Sequence, residues 1–112
     1  MIDKSLLENM KAELRRGTQT LAVLSQLAAD QYGYSLLQRL EEKGVSIEAG
    51  TLYPLLRRLE SQGLLKSEWD TTESRPRKYY LLSDAGTEMY ELLKDEWNAI
   101  VKEIGGLLEG AK

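Results

Sequence analysis

The sequence predicts a mainly α-helical fold with a small β-wing, and three observations indicate it. In Thr51–Leu65, TLYPLLRRLESQGLL, leucines recur at helical spacing, and Gly63 is placed to end that helix in a left-handed turn. Two short strands joined by a polar loop follow, between Leu64 and Leu82. From Ser83 onward, apolar residues recur three and four positions apart, which is typical of a long, coiled-coil-like helix.

The composition excludes several classes of function. The 112 residues suffice for one domain with a modest core, and they include neither cysteine nor histidine. A structural zinc site and a Ser-His or Cys-His catalytic pair are therefore excluded, and we expect neither an enzyme nor a bound metal or cofactor. The start MIDKSLLENMK is charged and amphipathic, unlike a signal peptide, and the uncharged run Gly17–Ala29 is too short and polar to span a bilayer. We expect a cytoplasmic protein without a membrane partner.

The first helical region is predicted for Ser5–Ala29. It carries two apolar stripes, Leu6, Leu7, Met10 and Leu14 in the first, and Leu21, Val23, Leu24, Leu27 and Ala28 in the second. The segment Arg15-Arg16-Gly17-Thr18 separates them. The sequence leaves open whether the helix kinks there or runs through.

The next helix is predicted for Gly33–Lys43, and Gly44 is placed to end it. Its inward face is expected to consist of Tyr34, Leu36, Leu37 and Leu40. The expected role of this helix is to brace the central helix that follows it.

The start of the central helix has two possible positions. If the helix begins at Ile47, with Ser46 as its N-cap, Pro54 lies well inside it at a cost of about 3 kcal/mol. If Thr51 is the N-cap, Pro54 falls in the first turn, where proline is tolerated. The residues by themselves leave both starts open.

The outward face of the central helix fits a DNA groove. Gly50, Pro54 and Arg57 point away from the leucines, since successive helical residues lie about 100° apart, and Tyr53 stands at the edge of this face. The face has little bulk and carries one guanidinium and one phenol, which suits close approach to base edges. We therefore predict DNA contacts by Tyr53, Pro54 and Arg57, with Gly50 permitting close approach and Thr51 at the edge.

The predicted hairpin consists of strands at Leu64–Trp69 and Arg77–Leu82 and of the polar loop Asp70–Pro76. Arg75, Arg77 and Lys78 cluster at its tip and on its return strand. Beside the central helix, such a cluster favours contact with phosphates or with the minor groove. The alternative interpretation is a charged edge strand that resists aggregation. Trp69 is expected to be a packing residue.

The last helix is predicted for Ser83–Leu108, with Ser83 as N-cap and Asp84 in its first turn. Its apolar stripe consists of Met89, Leu93, Trp97, Ile100, Ile104 and Leu107. So small a domain cannot cover this stripe, and a symmetric homodimer would bury it. Such a dimer places two reading helices on successive half-sites of double-stranded DNA.

The net charge of −3 is unevenly distributed. Residues 1–82 hold twelve basic and eleven acidic side chains, whereas residues 83–112 hold three and seven. The acidic charge therefore lies mainly in the last helix, and it does not oppose a basic DNA-binding surface elsewhere. It does argue against strong indiscriminate binding, because phosphate neutralisation supplies most non-specific affinity.

Three blocks of the sequence resemble the PadR family of transcriptional regulators. They are YGYSLLQRLEEKG from Tyr32, TLYPLLRRLESQGLL from Thr51 and RPRKYYLLSDAG from Arg75, and they occur in the family's order. The resemblance implies a winged helix-turn-helix DNA-binding domain at residues 1–82 and a dimerisation helix at residues 83–112, the short type with one C-terminal helix. It implies a dimeric, sequence-specific regulator that acts as a repressor on a DNA operator, and it favours the earlier helix start at Ile47. Ser74 stands where the family often has glycine.

Trp97 has two interpretations. It can anchor the dimer core, because large aromatic side chains dominate interface energetics. The segment DEWNAIVKEI from Asp95 also resembles PadR-like multidrug regulators that stack planar aromatic compounds between paired tryptophans. That resemblance implies a ligand site at Trp97 and Ile100, with Met10 and Leu14 as further lining and Asp95, Glu96 and Glu103 favouring cationic compounds. The alternative function is accordingly a small-molecule-binding dimeric sensor with little DNA affinity.

Overall fold

The computed structural model describes residues 1–29 and 31–110. In chain order its elements are α1 Lys4–Arg15, α2 Thr18–Ser25, β1 Gln31–Tyr32, α3 Gly33–Glu42, α4 Ala49–Ser61, β2 Leu65–Asp70, β3 Arg77–Leu82 and α5 Asp84–Gly110. The predicted mainly α-helical fold with a small β-wing is confirmed. No helix in the described residues has both the length and the apolar character that crossing a bilayer requires.

Gly17 divides the first helical region into two separate helices. Its φ of 94° lies in the left-handed region that glycine adopts freely, so the chain changes direction there. The Thr18 hydroxyl donates to the Arg15 carbonyl at 2.7 Å and closes the end of α1. The second helix ends at Ser25, four residues before the predicted end. The question left open by the sequence is thus resolved in favour of a break.

The sheet has three strands in the order β1-β3-β2, and all neighbouring pairs are antiparallel. The hairpin ladder runs from Leu65 opposite Leu82 to Asp70 opposite Arg77. The short strand β1 adds two pairs, Gln31 with Tyr80 and Tyr32 with Tyr79. The sequence did not predict β1, because two residues are too few to show an alternating pattern.

The core lies between α2, α3, α4 and the sheet. Its buried residues are Val23, Leu24, Leu27, Leu36, Leu40, Leu52, Leu55, Leu56, Leu59, Leu65 and Tyr80. The predicted inward face of α4 is confirmed, since all four of its periodic leucines are buried. Burial of this face fixes which side of α4 remains exposed.

Two aromatic residues were placed wrongly by the sequence patterns. Tyr34 is 67% exposed, and Gly33 and Leu36 occupy the inward face of α3 near it. Trp69 is 63% exposed and is not a core residue of the hairpin. In each case the residue lies near the edge of an apolar stripe, where helical or strand spacing does not decide whether a neighbour covers it.

Two apolar faces remain uncovered in the single chain. No residue of α1 is buried, and its predicted stripe is exposed at Leu6, Leu7, Met10 and Leu14. The first turns of α5 pack against the core through Tyr90 and Leu93, whereas the stripe beyond them is exposed. The division of the chain at residue 82 stays a prediction.

Candidate nucleic-acid interface

The first turn of α4 begins between the two predicted starts. The carbonyl of Glu48 accepts hydrogen bonds from the N–H groups of Thr51 and Leu52, both at 2.9 Å, so Ala49 is the first helical residue. Pro54 is then the sixth residue of the helix and has no N–H to donate to the Gly50 carbonyl. Both predicted starts are therefore wrong: Ile47 is two residues too early, and a start after Thr51 is three residues too late.

The exposed face of α4 carries mostly small side chains, as predicted from the sequence. Gly50, Thr51, Pro54 and Arg57 are all exposed. A Cβ at Gly50 would meet nothing within 4 Å, and its φ is not positive, so neither packing nor backbone geometry requires glycine there. A glycine inside a helix is unfavourable by roughly 1 kcal/mol relative to alanine. Its presence on this face leaves a surface over which another molecule can approach the helix backbone.

Tyr53 is half-buried and packs within the helix pair. A Cβ added at Gly33 would lie 2.3 Å from Cε1 of the Tyr53 ring, so the ring occupies the space that glycine leaves open at the start of α3. Gly33 is buried in this contact. The ring therefore sets the spacing of α3 and α4, and a base contact by Tyr53 stays a prediction.

The three predicted wing cations lie in different surroundings. Within residues 1–29 and 31–110, neither Arg75 nor Arg57 forms an ion pair, and both are exposed. Arg77 pairs with Glu73 at 3.4 Å, and its guanidinium carbon lies 4.2 Å from the centre of the Tyr32 ring. Both side chains of the Arg77–Glu73 pair are about half exposed, so the pair is weak and the arginine can exchange partners.

Lys78 lies on the opposite sheet face, toward α4. Its Nζ atom is 3.3 Å from Oε1 of Glu60, and Oε2 of the same carboxylate accepts a hydrogen bond from the hydroxyl of Ser67. The Ser67 hydroxyl and the Lys78 ammonium hold the pKa of Glu60 below its ordinary value. Arg75 and Arg77 are thus exposed on the wing, whereas Lys78 ties the hairpin to α4.

A second cluster at the wing was missed by the sequence patterns. The hydroxyl of Tyr32 donates to Oδ2 of Asp70, and the backbone N–H and the hydroxyl of Thr72 donate to Oδ1 at 3.0 and 2.7 Å. These hydrogen bonds lower the pKa of Asp70 to about 2, and the bond from Tyr32 has the largest effect. The Tyr79 ring meets Tyr32 edge to face, with ring centres 5.9 Å apart. No local pattern could reveal this cluster, since Tyr32 and Asp70 are 38 residues apart.

An apolar groove of about 840 Å³ lies between α2 and α5. Leu14, Trp97 and Ile100 line it, as does Tyr90. A smaller groove of about 280 Å³ adjoins it and shares Leu14, Trp97 and Ile100. Three of the four predicted ligand residues therefore lie together, whereas Met10 lines neither groove.

The charges in the larger groove differ from those inferred from the sequence. Its ionisable lining consists of Arg15, Lys94 and Tyr90, and Lys94 is paired with Glu91 at 3.0 Å. Of the three acidic residues expected to favour cations, Glu96 lines the smaller groove. The larger groove thus presents cationic rather than anionic groups to a ligand.

Comparisons with known proteins agree on one family. The family model for the "Transcriptional regulator PadR-like family" matches residues 20–92. The chain is 39% identical over 75 residues to the transcriptional regulator Rv3488 of Mycobacterium tuberculosis, a match that covers 66% of this chain and 70% of that protein. It is 50% identical to a PadR family transcriptional regulator from Eggerthella lenta, with a TM-score of 0.88 and 94% of each chain covered. A PadR family regulator from Clostridium difficile is 33% identical, with a TM-score of 0.75 and 82% of this chain and 99% of that chain covered.

Proposed function

Because the chain belongs to the PadR-like family of transcriptional regulators, we propose that it is a homodimeric, sequence-specific DNA-binding repressor. Family membership confirms the predicted regulator, and the relatives are regulators rather than enzymes. In the proposed complex, α4 of each subunit enters a major groove of the operator. The wing of the same subunit, residues 65–82, lies on the flanking backbone or minor groove.

One observation carries this proposal: α4 has an exposed face of mostly small side chains, and the neighbouring hairpin carries exposed cations. Apart from Arg57 and Arg58, the exposed residues of α4 are small or flat, which suits entry into a groove about 12 Å wide. Arg75 and Arg77 lie on the hairpin that follows this helix directly, and the Glu60–Lys78 pair joins the two elements. A reading element and a phosphate-binding element are thus held in a fixed relation.

The proposed dimer is supported by the two uncovered apolar faces. Trp97, Ile100 and Ile104 of α5 are between 41% and 49% exposed, and Leu14 of α1 is 82% exposed. A contiguous exposed apolar surface of this kind marks an interface in most soluble proteins. Pairing α5 with its symmetry copy, flanked by α1, buries both faces and sets two α4 helices on one side of the dimer.

A selection experiment tests sequence-specific binding without knowledge of the operator. The protein is used to enrich duplexes from a randomised pool, and fluorescence anisotropy then compares the enriched duplex with a scrambled one at near-physiological salt. We expect tight, selective binding that is weakened at least about tenfold by Arg75→Ala/Arg77→Ala, because the loss of two phosphate contacts removes their counterion release. The matched control, Lys11→Ala/Lys102→Ala, removes the same charge from α1 and α5 and should bind as the unchanged protein does.

The second candidate function is a small-molecule sensor with little DNA affinity, and the groove beside Trp97 favours it. Dissociation of DNA on ligand binding would combine both functions. Only a ligand with different affinities for the free and the DNA-bound dimer can shift the DNA-binding equilibrium. A Trp69→Phe variant leaves Trp97 as the fluorescent reporter. Quenching by a planar aromatic cation, compared with a matched anion, identifies the ligand charge, and equal DNA affinity with and without the bound compound refutes the release mechanism.

A further inference from the structure

We propose that Tyr32 is a positioning residue for DNA binding, whose hydroxyl on Asp70 fastens the wing to the start of α3 and so determines where Arg75 and Arg77 lie relative to α4. This inference rests on the proposed function, since it concerns how the wing reaches DNA. It assigns to Tyr32 a role that does not involve contact with DNA. We call the Tyr32–Asp70 hydrogen bond and the Thr72 bonds to Asp70 the wing latch.

The latch crosses the whole sheet. Tyr32 is the last residue of β1 and immediately precedes α3, whereas Asp70 is the last residue of β2. The two outer strands are separated by β3, so their backbones lie two strand spacings, about 10 Å, apart. The Tyr32 side chain passes over β3 beside Tyr79 and ends at the carboxylate of Asp70.

Asp70 carries the connection into the wing loop. It accepts both hydrogen bonds of Thr72 and thereby fixes the first turn of the loop that contains Arg75. The Tyr32 ring also supports the Arg77 guanidinium, 4.2 Å from its centre. One side chain therefore restrains the loop start and the return-strand arginine together.

The latch complements the contact on the opposite sheet face. There Glu60 of α4 holds Ser67, in the middle of β2, and Lys78, which lies next to the last residue pair of the ladder. A two-stranded hairpin by itself is marginally stable, and β1 contributes only two residue pairs to it. Restraint on both sheet faces fixes the angle of the hairpin relative to α4. The contact with α4 alone would leave the hairpin free to twist.

The charge state of Asp70 is consistent with a permanent restraint. The hydrogen bond from the Tyr32 hydroxyl, and to a smaller extent the two from Thr72, keep the pKa of the Asp70 carboxyl at about 2. The carboxylate is therefore ionised at any pH at which DNA binding is measured, and hydrogen bonds to an ionised acceptor are the stronger kind.

The test compares Tyr32→Phe with Tyr79→Phe. Both substitutions remove one hydroxyl that donates to a carboxylate on this sheet face, but the Tyr79 hydroxyl donates to Glu68 at 2.7 Å within the hairpin. Anisotropy on the duplex enriched by selection is measured over a series of salt concentrations. We expect Tyr32→Phe to bind about tenfold more weakly, with a salt slope reduced by about one, as for a lost phosphate contact. Tyr79→Phe should stay within about twofold of the unchanged protein. Equal affinities for Tyr32→Phe and the unchanged protein would overturn the inference.

A measurement without DNA separates this inference from the proposed function. Carbon-13 NMR follows the titration of the Asp70 carboxyl, and nitrogen-15 relaxation follows the amides of residues 71–76. In Tyr32→Phe the pKa of Asp70 should rise toward 3.8, and the loop amides should gain fast motion that Tyr79→Phe does not cause. Unchanged loop motion in Tyr32→Phe overturns the latch, whereas an unchanged protein that enriches no duplex overturns the proposed DNA-binding function.

Discussion

Gly86, in the first turn of α5, should be the least replaceable glycine of that helix. A Cβ at this position would lie 1.9 Å from the carbonyl oxygen of Leu64 and 2.9 Å from its carbonyl carbon. The same carbonyl accepts the N–H of Ser83 at 3.1 Å, and the Ser83 hydroxyl donates to the Gly63 carbonyl at 2.6 Å. The end of α4 and the start of α5 are therefore joined through backbone atoms that cannot rotate away.

The expected change in the free energy of unfolding for Gly86→Ala is the sum of opposing effects. Alanine is the better helix former by about 1 kcal/mol, which would stabilise the variant if nothing else changed. Contacts below 3.0 Å do not occur at real Cβ atoms, so the backbone must move by at least about 1 Å. Overpacking of this kind costs about 1–3 kcal/mol, and the strained Ser83–Leu64 hydrogen bond adds about 1 kcal/mol. We expect a net loss of about 1–3 kcal/mol.

The assay is urea and thermal unfolding at one fixed protein concentration, because the stability of the proposed dimer depends on concentration. Gly106→Ala is the matched control: it lies in the same helix, about 200° from Ile104 and off the apolar stripe, and a Cβ there would meet nothing within 4 Å. It should stabilise the protein by about 0.5–1 kcal/mol. If both substitutions stabilise the protein, the close approach of α5 to Leu64 is refuted.

Further predictions concern the proposed DNA-binding surface, the wing latch and the proposed dimer. Arg57→Ala should weaken binding to the selected duplex by about 1–3 kcal/mol in anisotropy titrations, and an equal loss on scrambled DNA would show a phosphate contact instead. Because the pKa of Asp70 is lowered to about 2, its charge contributes stability above the ordinary value of 3.8, and that contribution is lost as the pH falls through 2. Urea unfolding of Asp70→Asn from pH 2 to 6 should therefore show a deficit at pH 6 that disappears near pH 2, and a constant deficit would contradict the assignment. Gly33→Ala should displace the Tyr53 ring and reduce DNA affinity, and adding Tyr53→Leu should restore thermal stability, since the smaller side chain makes room for the new methyl group. Trp97→Ala should raise the dimer dissociation constant by at least about 30-fold in sedimentation equilibrium, and an unchanged value would exclude Trp97 from the interface.

Local periodicity determined the parts of the fold that depend on neighbours in the chain. The leucines of α4 face the core as predicted, and Gly63 ends the helix with a φ of 81°. Ser83 caps α5, since its hydroxyl accepts the Gly86 N–H at 3.0 Å. Helical spacing, capping residues and left-handed glycines act over a few residues, so the sequence alone specifies them.

Only the tertiary structure decided which side chains near the edges of those patterns are covered. Tyr34 and Trp69 were expected to pack but are exposed, whereas Tyr53 was expected to face DNA and its ring fills the space above Gly33. Residues at the edge of a stripe are buried or exposed according to a neighbouring element. The sequence pattern contains no information about where that element passes.

The arrangement of the wing likewise depends on contacts between distant residues. The sequence by itself determined that Arg75, Arg77 and Lys78 lie close together on a hairpin after α4. It did not determine that Lys78 turns to Glu60, 18 residues earlier, or that Tyr32 reaches Asp70, 38 residues later. The Tyr32–Asp70 bond forms only once the strand order β1-β3-β2 brings both residues onto one sheet face, and the Lys78–Glu60 bond only once α4 packs beside the hairpin. Both arrangements follow from burial of the whole core rather than from any local pattern.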